Sequence, residues 1–203
     1  AQDYVVDGGK VDVLIVNDNS ASMSFEQNRM AARFNQFIQN LENKGVNYRI
    51  ALTTTDIADS QNEARAINEN GALQDGKLIS LSNGKKFLSK EDGDLSTKES
   101  IFKTAIARSE TLRCETFMTN WFNAGKTASD NGYQAEYHAN CPSGDERGIY
   151  AAQLVVKNNP DGFLRDDADF HIIFLADEDE RSQLYLSQAG YALDDLDKGV
   201  NLA

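Results

Sequence analysis

The run Val11-Asp12-Val13-Leu14-Ile15-Val16-Asn17 limits the possible folds more than any other part of the chain. It is short, apolar and rich in β-branched residues, which marks a strand buried on both faces of a parallel sheet. The period then changes. Met30, Phe34, Phe37, Ile38 and Leu41 recur at helical spacing, with Arg29, Arg33, Gln36 and Glu42 off that face, so an amphipathic helix is expected over residues 25–41. Gly45 is a good stop for it, and Tyr48 to Thr55 reads as a second strand. Strand, helix and strand in this order imply a right-handed crossover and a doubly wound, mostly parallel open α/β sheet.

The remainder fits one domain over residues 1–203, with insertions at about 57–95 and 115–140. Lys77–Leu81 and Lys86–Ser89 are expected to form an edge hairpin, and Ser96-x-x-Glu99 a capping box opening a helix that runs to about Arg113. Phe117, Trp121, Phe122, Tyr133 and Tyr137 stand among Asn, Gly and Ser without a clear period, as an ordered irregular insertion. A helix is expected over 146–157, a third buried strand over 169–176 and a last helix over 182–196. His171, inside that strand, reads as a satisfied core histidine.

With 40% hydrophobic residues the chain can bury a core, and its formal charge of −12 argues against a nucleic-acid partner, whose phosphates it would repel. No apolar run approaches the roughly 18 residues that span a bilayer. The start Ala1-Gln2-Asp3 is what cleavage after a signal peptide leaves, so an exported protein is expected: periplasmic, cell-surface or secreted. Cys114 and Cys141 lack CxxC spacing and have only His138 and His171 for company, so they make no zinc site. A disulfide suits export; two buried free thiols are the alternative.

Two apolar strands end in oxygen ligands. The first ends in Asp18, Ser20 and Ser22, the third in Asp177 and Asp179. Ligands of open parallel sheets bind beyond the carboxyl ends of the strands, so if residues 11–17 lie beside 169–176 the two clusters meet. Hydroxyls and carboxylates are hard donors, suited to Mg²⁺, Mn²⁺ or Ca²⁺. Alternation in Asp18-Asn19-Ser20-Ala21-Ser22 lets one tight loop aim three side chains at a common centre.

In this setting the residues resemble the von Willebrand factor A family, and within it bacterial exported members. The resemblance is carried by Val11 to Met23, by Thr54-Thr55-Asp56, by Cys141 with Glu146-Arg147-Gly148-Ile149-Tyr150-Ala151, by Asn159 to Ala168 (NPDGFLRDDA) and by Asp177-Glu178-Asp179. It covers roughly residues 11–56 and 141–186. It implies a Rossmann-like sheet with a metal-ion-dependent adhesion site, in which Ser20 and Ser22 ligate the ion directly, and Asp18 and Asp177 directly or through water. The family's threonine ligand is replaced by Asp145 or Glu146, which favours Ca²⁺ and dulls the ion's attraction for a partner's carboxylate. The family's sheet has two further strands that this chain lacks, which implies a fragment of a longer polypeptide or a sheet completed in an assembly.

The resemblance implies a non-enzymatic adhesion module whose ion captures an acidic group of a protein partner. Asp56, Asp179, Trp121 and Tyr133 would then support the site or meet the partner. Each has a plainer reading: the serines as helix caps, the acidic run 177–180 as a solvated helix start, Asp56 as a turn residue, and Trp121 with Tyr133 as a small satellite core. A calcium-braced structural subunit is the second functional reading. A Mg²⁺-dependent phosphohydrolase is the remote third, lacking an acid at position 20 and a lysine near either cluster.

Overall fold

A strand with an unbroken apolar stretch needs cover on both sides, and β1 (Lys10–Asn17) has it over Val13 to Val16. In the computed structural model, which describes residues 8–57, 74–143 and 146–179, Val13 to Val16 are at most 3% exposed. Val13 and Ile15 face a core shared with α1 (Ser24–Asn43) and α2 (Leu95–Ile106). Leu14 and Val16 face a second core under α5 (Gly148–Asn158). Helices therefore cover both faces, and the order β3-β2-β1-β4 makes an open sheet. β2 (Asn47–Thr54) and β4 (Asp169–Leu175) run parallel to β1, while β3 (Phe87–Ser89) closes the far edge antiparallel. Among the described residues no helix is long and apolar enough to cross a membrane.

Local chemistry explains most boundaries. Gly45, at φ 68°, ends α1; its N–H bonds Glu42 O at 2.9 Å and the Val46 N–H bonds Leu41 O at 3.0 Å. Phe34 of α1 and Phe102 of α2 stack with centroids 3.5 Å apart. Behind them Lys98, 3% exposed, pairs with Glu42, which also accepts the Tyr48 hydroxyl at 2.9 Å. At the amino end of the sheet the buried carboxylate of Asp12 accepts Arg165 Nε at 2.9 Å and its backbone N–H at 2.7 Å. The same guanidinium reaches Asn47, so the segment before β4 is tied to β1 and β2 together.

Several expectations are corrected. The helix expected from Ser96 is capped by Asp94, whose carboxylate accepts the Thr97 N–H at 2.8 Å, so Ser96 lies inside it. It stops at Ile106 instead of running to Arg113, because the Arg108 N–H bonds Gln27 Oε1 of α1 at 3.1 Å in place of a helical carbonyl. A new helix, α3 (Ser109–Asn123), follows, and α4 (Tyr133–Asn140) makes the supposed irregular insertion largely helical. Cys114 and Cys141 are disulfide-bonded, joining α3 to the end of α4. With a separation of 27 residues the bridge is worth about 3–4 kcal/mol through the unfolded state. Lys77–Leu81 forms no hairpin with β3; the Ile79 N–H bonds Leu52 O and the Leu81 N–H bonds Lys85 O, each at 2.8 Å.

β4 is a strand as expected, but not a buried one. Phe170, Ile172 and Phe174 are 36%, 38% and 48% exposed, because α5 lies over β1 and β2 instead. His171 is exposed too, and is no core histidine. The helix expected over 182–196 lies outside the described residues.

The Lys98 contact holds the Glu42 carboxyl below its ordinary range; burial opposes this and the Tyr48 hydroxyl adds to it. A depressed carboxyl contributes stability above its unfolded value and loses it as pH falls through the folded one. Glu42→Gln should cost about 1–2 kcal/mol at pH 7, and the gap should close below about pH 4. Denaturant titrations at both pH values check this.

Candidate metal centre

The parallel pairing of β1 with both neighbours delivers their carboxyl ends to one edge. There the Asp18 N–H bonds Leu175 O at 2.9 Å, extending the ladder one residue beyond β1. The chain then turns sharply. Asp18 Oδ1 accepts the Ser20 N–H at 2.8 Å, a 3₁₀ turn covers Ala21–Met23, and α1 begins at Ser24. This brings the Ser20 and Ser22 hydroxyls to 3.2 Å from each other. Neither serine caps a helix: Ser20 holds the N-cap position of the turn without a side-chain bond to it, and Met23 holds that of α1. The capping alternative therefore does not account for these hydroxyls.

Asp18 is one of several buried polar groups here that keep an unpartnered atom. It is 1% exposed, and its second oxygen, Oδ2, is buried without a hydrogen-bond partner. Burial raises its carboxyl above the ordinary value, the Ser20 hydrogen bonds work against that, and the charges of Asp177 and Glu178 raise it further. Asp177 and Glu178, both exposed just beyond β4, thus act electrostatically on Asp18 as the adjacency of β1 and β4 requires.

Further acids line a cavity of about 200 Å³ at the same edge: Glu146, Glu178 and Asp179, with Thr55 and Phe174. Glu146 adopts φ 48°, a left-handed conformation uncommon outside glycine. Asp145 lies outside the described residues. Asp56 is fully buried, and its Oδ1 accepts the Ser143 N–H at 3.0 Å, tying the end of β2 to the loop before α5. Trp121 and Tyr133 lie in the α3–α4 unit, each under 10% exposed and packed with Phe117. The satellite-core reading fits that packing.

Four residues that fix the loop after β1 carry no motif. Gln27 Nε2 donates to Asp18 O at 3.0 Å and to Thr111 Oγ1 at 3.1 Å. The Thr111 hydroxyl donates to Asn19 O at 2.8 Å. Glu110 Oε1 accepts Arg108 Nε at 2.8 Å and, at 3.5 Å, Asn19 Nδ2. The first turn of α3 therefore clamps the loop from behind. One signal was available: Gln27 opens the buried stripe Gln27, Ala31, Phe34 and Ile38 of α1, and a buried amide on an apolar stripe needs polar partners.

Hard oxygen donors with an unpartnered buried carboxylate oxygen are chemically suited to a divalent cation, which would neutralise Asp18 where no cation among the described residues bonds it. Among the described residues no three or more His, Cys, Asp or Glu are grouped to hold a metal, so such a site would depend on the two serine hydroxyls. No protein-family model matches this chain, and neither does any curated protein or solved structure.

A carboxyl raised on folding costs stability once pH exceeds its unfolded value. In chelator near neutral pH, Asp18→Asn should therefore melt a few degrees above wild type, since Oδ1 still accepts the Ser20 N–H. Scanning calorimetry checks this, and a lower melting temperature would contradict the assignment of an uncompensated charge.

Proposed function

We propose that this chain is a non-enzymatic, divalent-cation-dependent protein-binding module with a von Willebrand factor A type sheet and a metal-ion-dependent adhesion site. The observation that carries this reading is the buried, unpartnered Oδ2 of Asp18 beside the paired hydroxyls of Ser20 and Ser22. Ser20 and Ser22 would hold the ion directly, and Asp18 and Asp177 directly or through water. With few carboxylates on it, the ion supplies an electrophilic position that an acidic side chain of a partner protein completes. Mg²⁺, Mn²⁺ and Ca²⁺ all suit such oxygens. The disulfide supports an exported protein, since such bridges persist in oxidising compartments.

The second reading is a calcium-braced structural subunit of a larger extracellular assembly. Glu146, standing where the family has threonine and sharing a cavity with Glu178 and Asp179, favours it. A phosphohydrolase is disfavoured by the serine at position 20, where that chemistry needs an acid.

Calorimetric titration with Mg²⁺, Mn²⁺ and Ca²⁺ tests the site. Wild type should bind at least one ion, and Ser20→Ala/Ser22→Ala should bind it at least tenfold more weakly. Identical titrations would sink the metal site. Thermal melts with and without chelator, beside partner binding under the same conditions, separate the two readings. Stabilisation by Ca²⁺ with chelator-resistant partner binding would select the structural one.

A further inference from the structure

β4 ends the sheet: among the described residues it pairs with β1 and with nothing on its other edge. The backbone groups of successive residues point to alternate edges of a strand. Leu175 O accepts the Asp18 N–H, so Leu175, Ile173 and His171 turn theirs toward β1. Phe170, Ile172 and Phe174 therefore turn their N–H and C=O groups to the open edge, and these are also the exposed apolar residues of the strand. No lysine or proline interrupts Asp169–Leu175, and such residues are what commonly keep an open edge from pairing.

The outward groups lie symmetrically about Ile172. An antiparallel strand of the same sequence, centred on Ile172, sets Phe170 opposite Phe174 and Ile172 opposite Ile172, so every outward residue of both copies bonds at once. The opposed apolar side chains then cover one another on the α5 side of the sheet. On the α1 side the same register sets Asp169 of one copy opposite Leu175 of the other. Leu175 lines a cavity of about 230 Å³ with Glu26, Arg29, Met30 and Arg33. Neither arginine has an ion pair or hydrogen bond among the described residues; Arg29 lies over the exposed Phe25 ring at 5.4 Å, which leaves its N–H donors unused. Asp169 is itself exposed. Each copy thus offers an acid to the arginines of the other, as a two-fold axis requires.

We propose that the open edge of β4 is a homodimer interface, on which a second copy of this chain adds its own β4 antiparallel and joins the two four-stranded sheets into one. This pairing points the two Asp18 loops in opposite directions. It uses no cation, so the proposal does not rest on the metal reading.

The full chain is examined by sedimentation equilibrium at about 150 mM salt, which screens the long-range repulsion between copies of net charge −12. It should dimerise reversibly with a dissociation constant below about 0.5 mM, equally in chelator and in Mg²⁺. Ile172→Lys, a charge at an exposed edge position, should raise that constant about tenfold or more with an unchanged far-ultraviolet spectrum. Asp169→Arg should raise it about fivefold, and adding Arg29→Asp/Arg33→Asp should restore it. On mild oxidation Ile172→Cys should cross-link between copies about tenfold faster than Ser82→Cys at an exposed turn, since the paired Cα atoms would stand about 5.5 Å apart. A dissociation constant above about 0.5 mM, which a segment of the same chain covering the edge would produce, overturns the proposal. So does a dimer that survives Ile172→Lys, equal cross-linking of the two cysteine variants, or association that needs Mg²⁺.

Discussion

The structure depends on β1 being buried on both faces while paired in parallel on both edges. Burial forces helices onto each side of the sheet, and parallel pairing forces the connections of β1 and β4 to leave from the same end. The loop after β1 starts with a carboxylate that has no room to reach water. Asp18 is held there by its own backbone, through the bond to Leu175 O. The candidate site is thus a by-product of how the central strand must end.

What keeps the loop in shape is a polar network in an apolar place. Gln27, Thr111 and Glu110 are each at most 1% exposed, and burying such groups is tolerable only when they are hydrogen-bonded. Gln27 and Thr111 bond each other and the carbonyls of Asp18 and Asn19. Glu110 accepts Arg108 and Asn19 through Oε1 while its Oε2 stays unpartnered, so α1, α3 and the loop share one set of bonds. The break between α2 and α3 belongs to the same network. Arg108 leaves helical geometry because its N–H is used by Gln27 and its guanidinium by Glu110 and Ala105 O.

This division explains what could be read from the residues. β1, α1, β2, α5 and β4 came through because apolar period and glycine placement decide them locally, whereas the adjacency of β1 and β4 entered only as a condition, which the pairing of the two strands meets. The helices of the α3–α4 unit were legible in principle, since Phe117 and Trp121, like Tyr133 and Tyr137, are four residues apart. The surrounding Asn, Gly and Ser hid that spacing. The break at Arg108 was not legible, because its causes lie about 80 residues away in α1. Nor was the exposure of Phe170, Ile172 and Phe174, since an apolar strand gives no sign of how far its covering helix extends. Of the candidate residues, Asp18, Ser20, Ser22 and Asp177 were singled out by position and chemistry. Gln27, Glu110 and Thr111 were missed because clamping residues need no motif.

The disulfide has a consequence for where such a molecule can work. It lies wholly within α3 and α4, and none of the sheet pairings or the two main cores depends on it. A thiol-rich environment would therefore break no sheet pairing directly, yet it would lower the stability of the whole fold and loosen first the helix whose first turn holds Asn19.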